Sequence, residues 1–198
     1  LSFLFLHFKT NPQASNPETP SPITSTPAPT TLETNSLQAE STLTLNKELV
    51  ALVFLSNQGY GATPKSVVAI DSNQEFIVPD MKGEIRFLAP MQDLGLLFVL
   101  SSQNELFAWS PLNKAFTKNE LSLPENTRVT GMGTYLTYLY VLDRGNNQLY
   151  RYPRAENGFK EATNWIKESF ELTDTAFLAI NETVALAPSR EHLLSFSQ

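Results

Sequence analysis

An all-β domain of propeller-type blades is the fold predicted for this 198-residue chain, and three observations predict it. Short runs of branched and aromatic residues recur from about Leu49 onward, most are separated by turn formers, and one strand-turn-strand pattern repeats at 40 to 45 residues. Repeats of that period that carry strands and no long helices are characteristic of propeller blades, whereas leucine-rich or helical repeats have shorter or helical periods.

The strand candidates are Leu49–Leu55, Ser66–Ile70, Glu75–Val78, Ile85–Leu88, Leu96–Leu100, Glu105–Trp109, Tyr138–Leu142 and Gln148–Tyr152. β-branched and aromatic side chains fit a pleated, half-buried surface. Asp71-Ser-Asn, Ser101-Ser-Gln-Asn and Asp143-Arg-Gly-Asn-Asn lie between such runs and predict hairpins. Lys160–Leu172, with Trp165, Phe170 and Leu172, reads equally as a short helix or an irregular outer strand.

The repeat itself is explicit. The segment beginning Leu96-Leu-Phe-Val-Leu aligns with Tyr138-Leu-Tyr-Val-Leu at an offset of 42, and the strands after the turn align at 43 because the second turn is one residue longer. Val68-Ala-Ile-Asp matches Phe98 onward at an offset of 30, and Thr183-Val-Ala-Leu-Ala-Pro with His192-Leu-Leu-Ser-Phe repeats the hairpin about 45 further on. Three to four hairpins predict a partial ring, since propellers close with four to eight blades. An open ring leaves strand edges unpaired and invites self-association.

Three regions follow from composition: an apolar remnant at 1–9, a linker at 10–40 and the β domain at 41–198. Leu1 to Phe8 is almost wholly apolar, but eight residues reach only ~12 Å as a helix against a hydrocarbon core of ~30 Å. The stretch is read as the end of a transmembrane helix, with a stray strand or a signal-peptide remnant as the alternative. After Lys9 no basic residue appears until Lys47. Cytoplasmic flanks are rich in Lys and Arg, so the domain is expected on the extracytoplasmic side of a cell membrane. From Thr10 to Ser36 the chain is rich in Pro, Thr and Ser, with too few apolar residues to offset the entropy of ordering. Its proline-rich half is expected to be a semi-rigid spacer of about 3.1 Å per residue. The prolines lack the flanking basic anchors of an SH3 ligand.

Composition also excludes. The net charge is -6 and the 14 basic residues are scattered, against nucleic acid as a partner. No cysteine is present, so disulfides, thiolate nucleophiles and cysteine metal sites are ruled out. His7 and His192 are the only histidines and offer no metal-binding or acid-base pair within the β domain.

Asp71 and Asp143 each end a strand before a turn. They could supply oxygens to Ca²⁺, but capping of the turn through the residue two positions on is the expected role. Asp80 and Asp93 read as solvated loop carboxylates. Gly59-Tyr-Gly-Ala has no helix and no Lys-Ser/Thr after it, so it is read as a loop and not a phosphate cradle. Gly131-Met-Gly-Thr-Tyr is read as backbone freedom at the start of an inner strand. Trp109, Tyr138, Tyr140, Tyr150 and Tyr152 are expected in the core, the alternative being an aromatic binding face. Asn181-Glu-Thr183 is a glycosylation sequon with no role assigned.

Leu139-Tyr-Val-Leu-Asp-Arg-Gly-Asn-Asn-Gln-Leu-Tyr-Arg-Tyr152 resembles an NHL-type blade hairpin: an apolar strand ending in Asp, a Gly-Asn turn and a second strand. The chain also resembles propeller regions that follow a membrane helix and Pro/Thr linker in bacterial membrane proteins, some with a PPM-type phosphatase domain on the other side. The preferred reading is a non-catalytic binding, sensor or scaffold domain displayed outside a membrane, with the blade-connecting loops as a surface for a protein, peptide or glycan and without a cofactor. No WD40, kelch or sialidase blade signature is present. The alternative is a calcium-dependent propeller hydrolase of lactonase or esterase type, which needs carboxylates converging from several blades, and only Asp71 and Asp143 are candidates.

Overall fold

The computed structural model describes residues 48–167, 171–173, 177–181, 183–187 and 193–197. The apolar stretch at 1–9, the linker at 10–40, His7, Phe170 and His192 lie outside the described residues.

Alternating side chains at period two give each strand two faces, and the described strands assemble into four small sheets, the blades of a propeller. Blade 1 is β1 (Ala51–Leu55), β2 (Gln58–Ala62), β3 (Ser66–Ala69) and β4 (Gln74–Ile77). Blade 2 is β5 (Ile85–Met91), β6 (Leu96–Ser101), β7 (Leu106–Ser110) and β8 (Ala115–Asn119). Blade 3 is β9 (Val129–Tyr135), β10 (Tyr138–Asp143) and β11 (Gln148–Ala155), with short β12 (Gly158–Phe159) and β13 (Thr163–Asn164) both on β11. Blade 4 is β14 (Phe177–Ile180), β15 (Thr183–Ala187) and β16 (Leu194–Ser197). All named strand pairs are antiparallel, and the first strands pack in series, β1 on β5, β5 on β9 and β9 on β14.

Register confirms the repeat. Leu97 faces Trp109 and Leu100 faces Leu106 in blade 2, while Leu139 faces Tyr152 and Leu142 faces Leu149 in blade 3. The offset therefore changes from 42 to 43 across a longer turn, as the sequence predicts. The offset of 30 is corrected: it overlays β3–β4 on β6–β7, whereas the strand order equates β2–β3 with β6–β7. Asp71 is thus not the counterpart of Ser101. Ala62 facing Val67 corresponds to Leu100 facing Leu106, which puts Thr63 in the position of Ser101 and Asp143.

Three apolar layers lie between successive blades. The first contains Tyr60, Ala62, Val67 and Ala69 of blade 1 with Leu97, Val99, Phe107 and Trp109 of blade 2. The second contains Phe98, Leu100 and Leu106 of blade 2 with Leu139, Val141, Tyr150 and Tyr152 of blade 3. The third contains Tyr140, Leu142 and Leu149 of blade 3 with Val184 and Leu186 of blade 4. Odd and even positions of one strand therefore serve different junctions, and single blades have no core of their own.

Two glycine readings change. Gly59-Tyr-Gly-Ala is not a loop but lies in β2, where Leu49 and Ile70 lie over Gly61. Gly131 and Gly133 have no left-handed backbone. They matter for space: a Cβ on Gly131 would lie 3.2 Å from Leu178 Cβ, and one on Gly133 would lie 3.1 Å from Ile180 Cδ1. Gly131→Val is expected to overpack this junction and cost about 1–3 kcal/mol in a urea melt.

The aromatic residues lie in the junctions as the core reading expects, with Tyr138 half-buried and the other four buried. Lys160–Leu172 contains the short outer strand β13, followed by Ile166 and Leu172, buried against blade 3. Tyr152 is fully buried and its hydroxyl has no hydrogen-bond partner. Burial pushes the Tyr152 hydroxyl well above the ordinary tyrosine range, and burial also raises Tyr60, Tyr140 and Tyr150. A folded-state value above the unfolded one means stability is retained below pH 10.0 and is lost as pH rises toward the folded value. Tyr152→Phe is expected to leave stability at neutral pH unchanged or raised by up to about 1 kcal/mol. It should also make the alkaline loss shallower, as read by urea melts at a series of alkaline pH values.

Candidate functional site

The first strand of each blade reaches one end of the ring together. Gln92, just after β5, donates from Nε2 to the Phe54 carbonyl at 2.9 Å and accepts from the Ser56 N–H at 3.0 Å. Its amide continues the sheet-like pairing of the β1 end and ties blade 2 to blade 1. The Thr134 hydroxyl near the end of β9 donates to the Pro90 carbonyl near the end of β5. A cavity of about 450 Å³ lies at these converging ends, lined by residues of all four blades, Val53, Leu88 to Pro90, Met132 to Leu136, and Leu178 with Ile180. Two other depressions, of about 650 and 440 Å³, lie along β8 and draw on fewer blades.

The cavity lining is mostly apolar, and its polar residues are Gln92, Asp93, Thr134, Tyr135 and Asn181, of which Gln92, Asp93 and Asn181 are exposed. Asp93 is exposed on a single 3-10 turn, Gln92–Leu94, closed by Gly95 in left-handed conformation. Among the described residues it is the one carboxylate of the lining, and no Lys, Arg or His of theirs accompanies it. This arrangement offers a charge and hydrogen bonds beside an apolar lining. Leu136 occupies the turn between β9 and β10 with φ 50 and is 51% exposed. A leucine in that region costs about 1–2 kcal/mol relative to its normal backbone, so a strained turn presents an apolar side chain at the lip.

The opposite end carries the turn caps. Asp143 is fully buried. Its Oδ1 accepts from the Arg128 N–H at 2.7 Å and the Gly145 N–H at 2.8 Å, while Oδ2 accepts from Asn146 Nδ2 at 2.7 Å and lies 3.0 Å from the Thr127 hydroxyl. The bond to Gly145 is the two-residue capping contact expected from the sequence, and Gly145 itself leaves room for the Asn126 carbonyl. Ser101 does a smaller version, accepting from the Gln103 and Glu105 N–H groups at 3.2 and 3.1 Å. Thr63 accepts from the Ser66 N–H at 3.1 Å.

Asp71 is exposed in the β3–β4 turn, which lies at the other end of β3 from the capped turn. Asp71 and Asp143 therefore sit at opposite ends of different blades and do not converge on one ion. Among the described residues no group of three or more acidic or histidine side chains is placed to hold a metal. Asp80 is an exposed turn residue, whereas Asp93, read as an isolated loop carboxylate, stands at the cavity lip. Asn181 of the sequon is also at the lip, its Oδ1 accepting from the Thr183 N–H at 2.9 Å. Sequence reasoning missed Gln92 and Leu136, because a lone glutamine and a lone leucine carry no motif.

Among the described residues no helix is long and apolar enough to cross a membrane. No protein-family model and no curated protein matches the chain. Solved structures do. A chain of the Mitotic Checkpoint Complex structure superposes with a TM-score of 0.57 at 12% identity, over 76% of this chain and 50% of that one. BamB from Moraxella catarrhalis gives 0.52 at 14% identity, over 74% and 42%. Catalytically inactive virginiamycin B lyase from Staphylococcus aureus, solved with quinupristin, gives 0.51 at 16% identity, over 72% and 48%. The chain spans about half the length of the structures it matches. At such identities the likeness is one of fold, and the fold by itself assigns no activity. The chain is a β-propeller arrangement of four blades.

Proposed function

We infer that this chain is a non-catalytic binding or scaffold propeller whose ligand is a protein segment seated where the four inner strands converge. The observation that carries the reading is the cavity shared by all four blades, apolar inside, with the Asp93 carboxylate and the strained Leu136 at its lip. An extended peptide with an apolar side chain for the floor and a basic group near Asp93 fits that chemistry. A propeller neighbour solved within a protein complex supports a partner of this kind.

The sequence adds the setting. The apolar residues at 1–9 and the Pro/Thr/Ser-rich residues at 10–40 suit a membrane anchor and a spacer, holding the propeller on the extracytoplasmic side. The NHL-like hairpin at Leu139–Tyr152 belongs with such a display role.

Peptides selected from a random-sequence library against the 198-residue chain provide the test. Leu136→Gly is expected to relieve the turn and raise stability by about 1 kcal/mol, while weakening the selected peptides at least tenfold in fluorescence anisotropy. Asp93→Lys should weaken the basic ones similarly. Selected peptides that bind both variants as well as the parent would rule the site out.

A further inference from the structure

The outer strand of each of the first three blades puts a side chain at the same repeat position in the junction with the next blade. Phe76 faces Val67 in blade 1 and Asn119 faces Leu106 in blade 2. In blade 3 the Trp165 N–H donates to the Leu149 carbonyl at 2.8 Å, which places Trp165 opposite Leu149. Val67, Leu106 and Leu149 are equivalent, since they face Ala62, Leu100 and Leu142 in turn. Phe76 and Trp165 are aromatic, with ring centroids 4.8 Å from Trp109 and 5.7 Å from Tyr140. Asn119 breaks the pattern: it is polar and only 6% exposed, a placement that costs free energy unless its amide is bonded.

What the amide does is hold Arg154. Asn119 Nδ2 donates to the Thr117 carbonyl at 2.9 Å, and Oδ1 accepts from Arg154 Nη1 at 2.9 Å. The Gly158 carbonyl accepts a second bond from Nη1. The guanidinium carbon lies 5.6 and 5.2 Å from the ring centroids of Phe98 and Phe159. Among the described residues no carboxylate pairs with this cation, whereas Lys118 lies 2.6 Å from Glu105. Burial lowers the Arg154 pKa from the ordinary arginine value, with no neighbouring charge to offset it.

Arg154 lines the depression of about 440 Å³ that opens between blades 2 and 3. Ala108, Ser110, Ala115 and Thr117 of blade 2 leave this space open, and Glu120 and Glu156 of the lining are exposed. We propose that the depression binds a ligand through a single carboxylate, with Arg154 as its counter-ion. The planar fork of an arginine matches a carboxylate through two parallel hydrogen bonds, and Asn119, Gly158 and the two rings fix the fork in place. One cation beside two exposed acids suits one negative charge better than a phosphate dianion. The site shares no lining residue with the four-blade cavity and does not depend on the function inferred for that cavity.

A free organic acid and the C-terminus of a peptide carry the same group, and two probes separate them. Propionate and N-acetylalanine are titrated into the isotope-labelled 198-residue chain at constant ionic strength, followed by the Arg154 Nε–H resonance and the amides of Thr117 and Asn157. Saturating shifts are expected. Similar affinities mark a free acid, and at least tenfold tighter binding of N-acetylalanine marks a chain terminus. Arg154→Gln and Arg154→Lys should each weaken binding at least tenfold, the lysine because it keeps the charge and loses the fork. Ala115→Phe, at an exposed position of the lining, should block the site with Arg154 intact, and it carries the test if the Arg154 variants do not fold. The proposal is overturned if neither acid saturates, if the Arg154 and Ala115 variants titrate like the parent, or if inorganic phosphate binds more tightly than both acids.

Discussion

Replacing Asp143 by alanine is expected to lower the stability of the domain by about 2–3 kcal/mol, because the backbone N–H groups of Arg128 and Gly145 lose their carboxylate acceptor in a part-buried setting. The Thr127 and Asn146 side chains lose the same partner. Urea melts followed by circular dichroism measure it. Asp143→Asn keeps one acceptor oxygen and turns the other into a donor facing Asn146, so about 1–2 kcal/mol is expected. Ser101→Ala should cost about 1–2 kcal/mol and Thr63→Val about 1 kcal/mol, in step with the bonds each makes. The order Asp143, Ser101, Thr63 follows from treating the three as one structural position. A larger loss at Thr63 than at Asp143 would break that equivalence.

The second large effect is expected at Trp109. It is 1% exposed and lies between blades 1 and 2, with ring centroids of Phe76 and Tyr60 at 4.8 and 5.2 Å. Trp109→Ala removes this contact from a junction whose layer is shared by both blades, and about 3–5 kcal/mol should be lost. Trp109→Phe should cost less, about 1–2 kcal/mol, since the indole N–H has no partner to lose. Phe54→Ala, at a side chain 62% exposed on β1, is the control and should change thermal stability little. Equal losses at Trp109 and Phe54 would contradict the assignment of faces.

The β class, the hairpins and the 42-to-43 offset were legible because a period-two apolar pattern and turn residues are local features. β2 was not legible: Gly59 and Gly61 deprive it of branched side chains, and its glycines make sense only with Leu49 and Ile70 above them. The same cause misplaced the first repeat, since β3–β4 looks more like a hairpin than β2–β3 does. Asp143 could be read as a turn cap from Gly145 two residues on, but its bond to Arg128, 15 residues earlier, is tertiary. The cavity was the least legible part. Its lining comes from four inner strands far apart in sequence, and Gln92 acts by copying a backbone amide, which no spacing announces.

The most direct test of the binding site is a titration of the isotope-labelled chain with a selected peptide, followed by amide chemical shifts. The largest shifts are expected at one position from each blade, Val53, Ala89, Gly133 and Ile180, with Asp93 and Leu136. Shifts confined to the capped turns around Ser101 and Asp143, or to the outer strand β8, would contradict it.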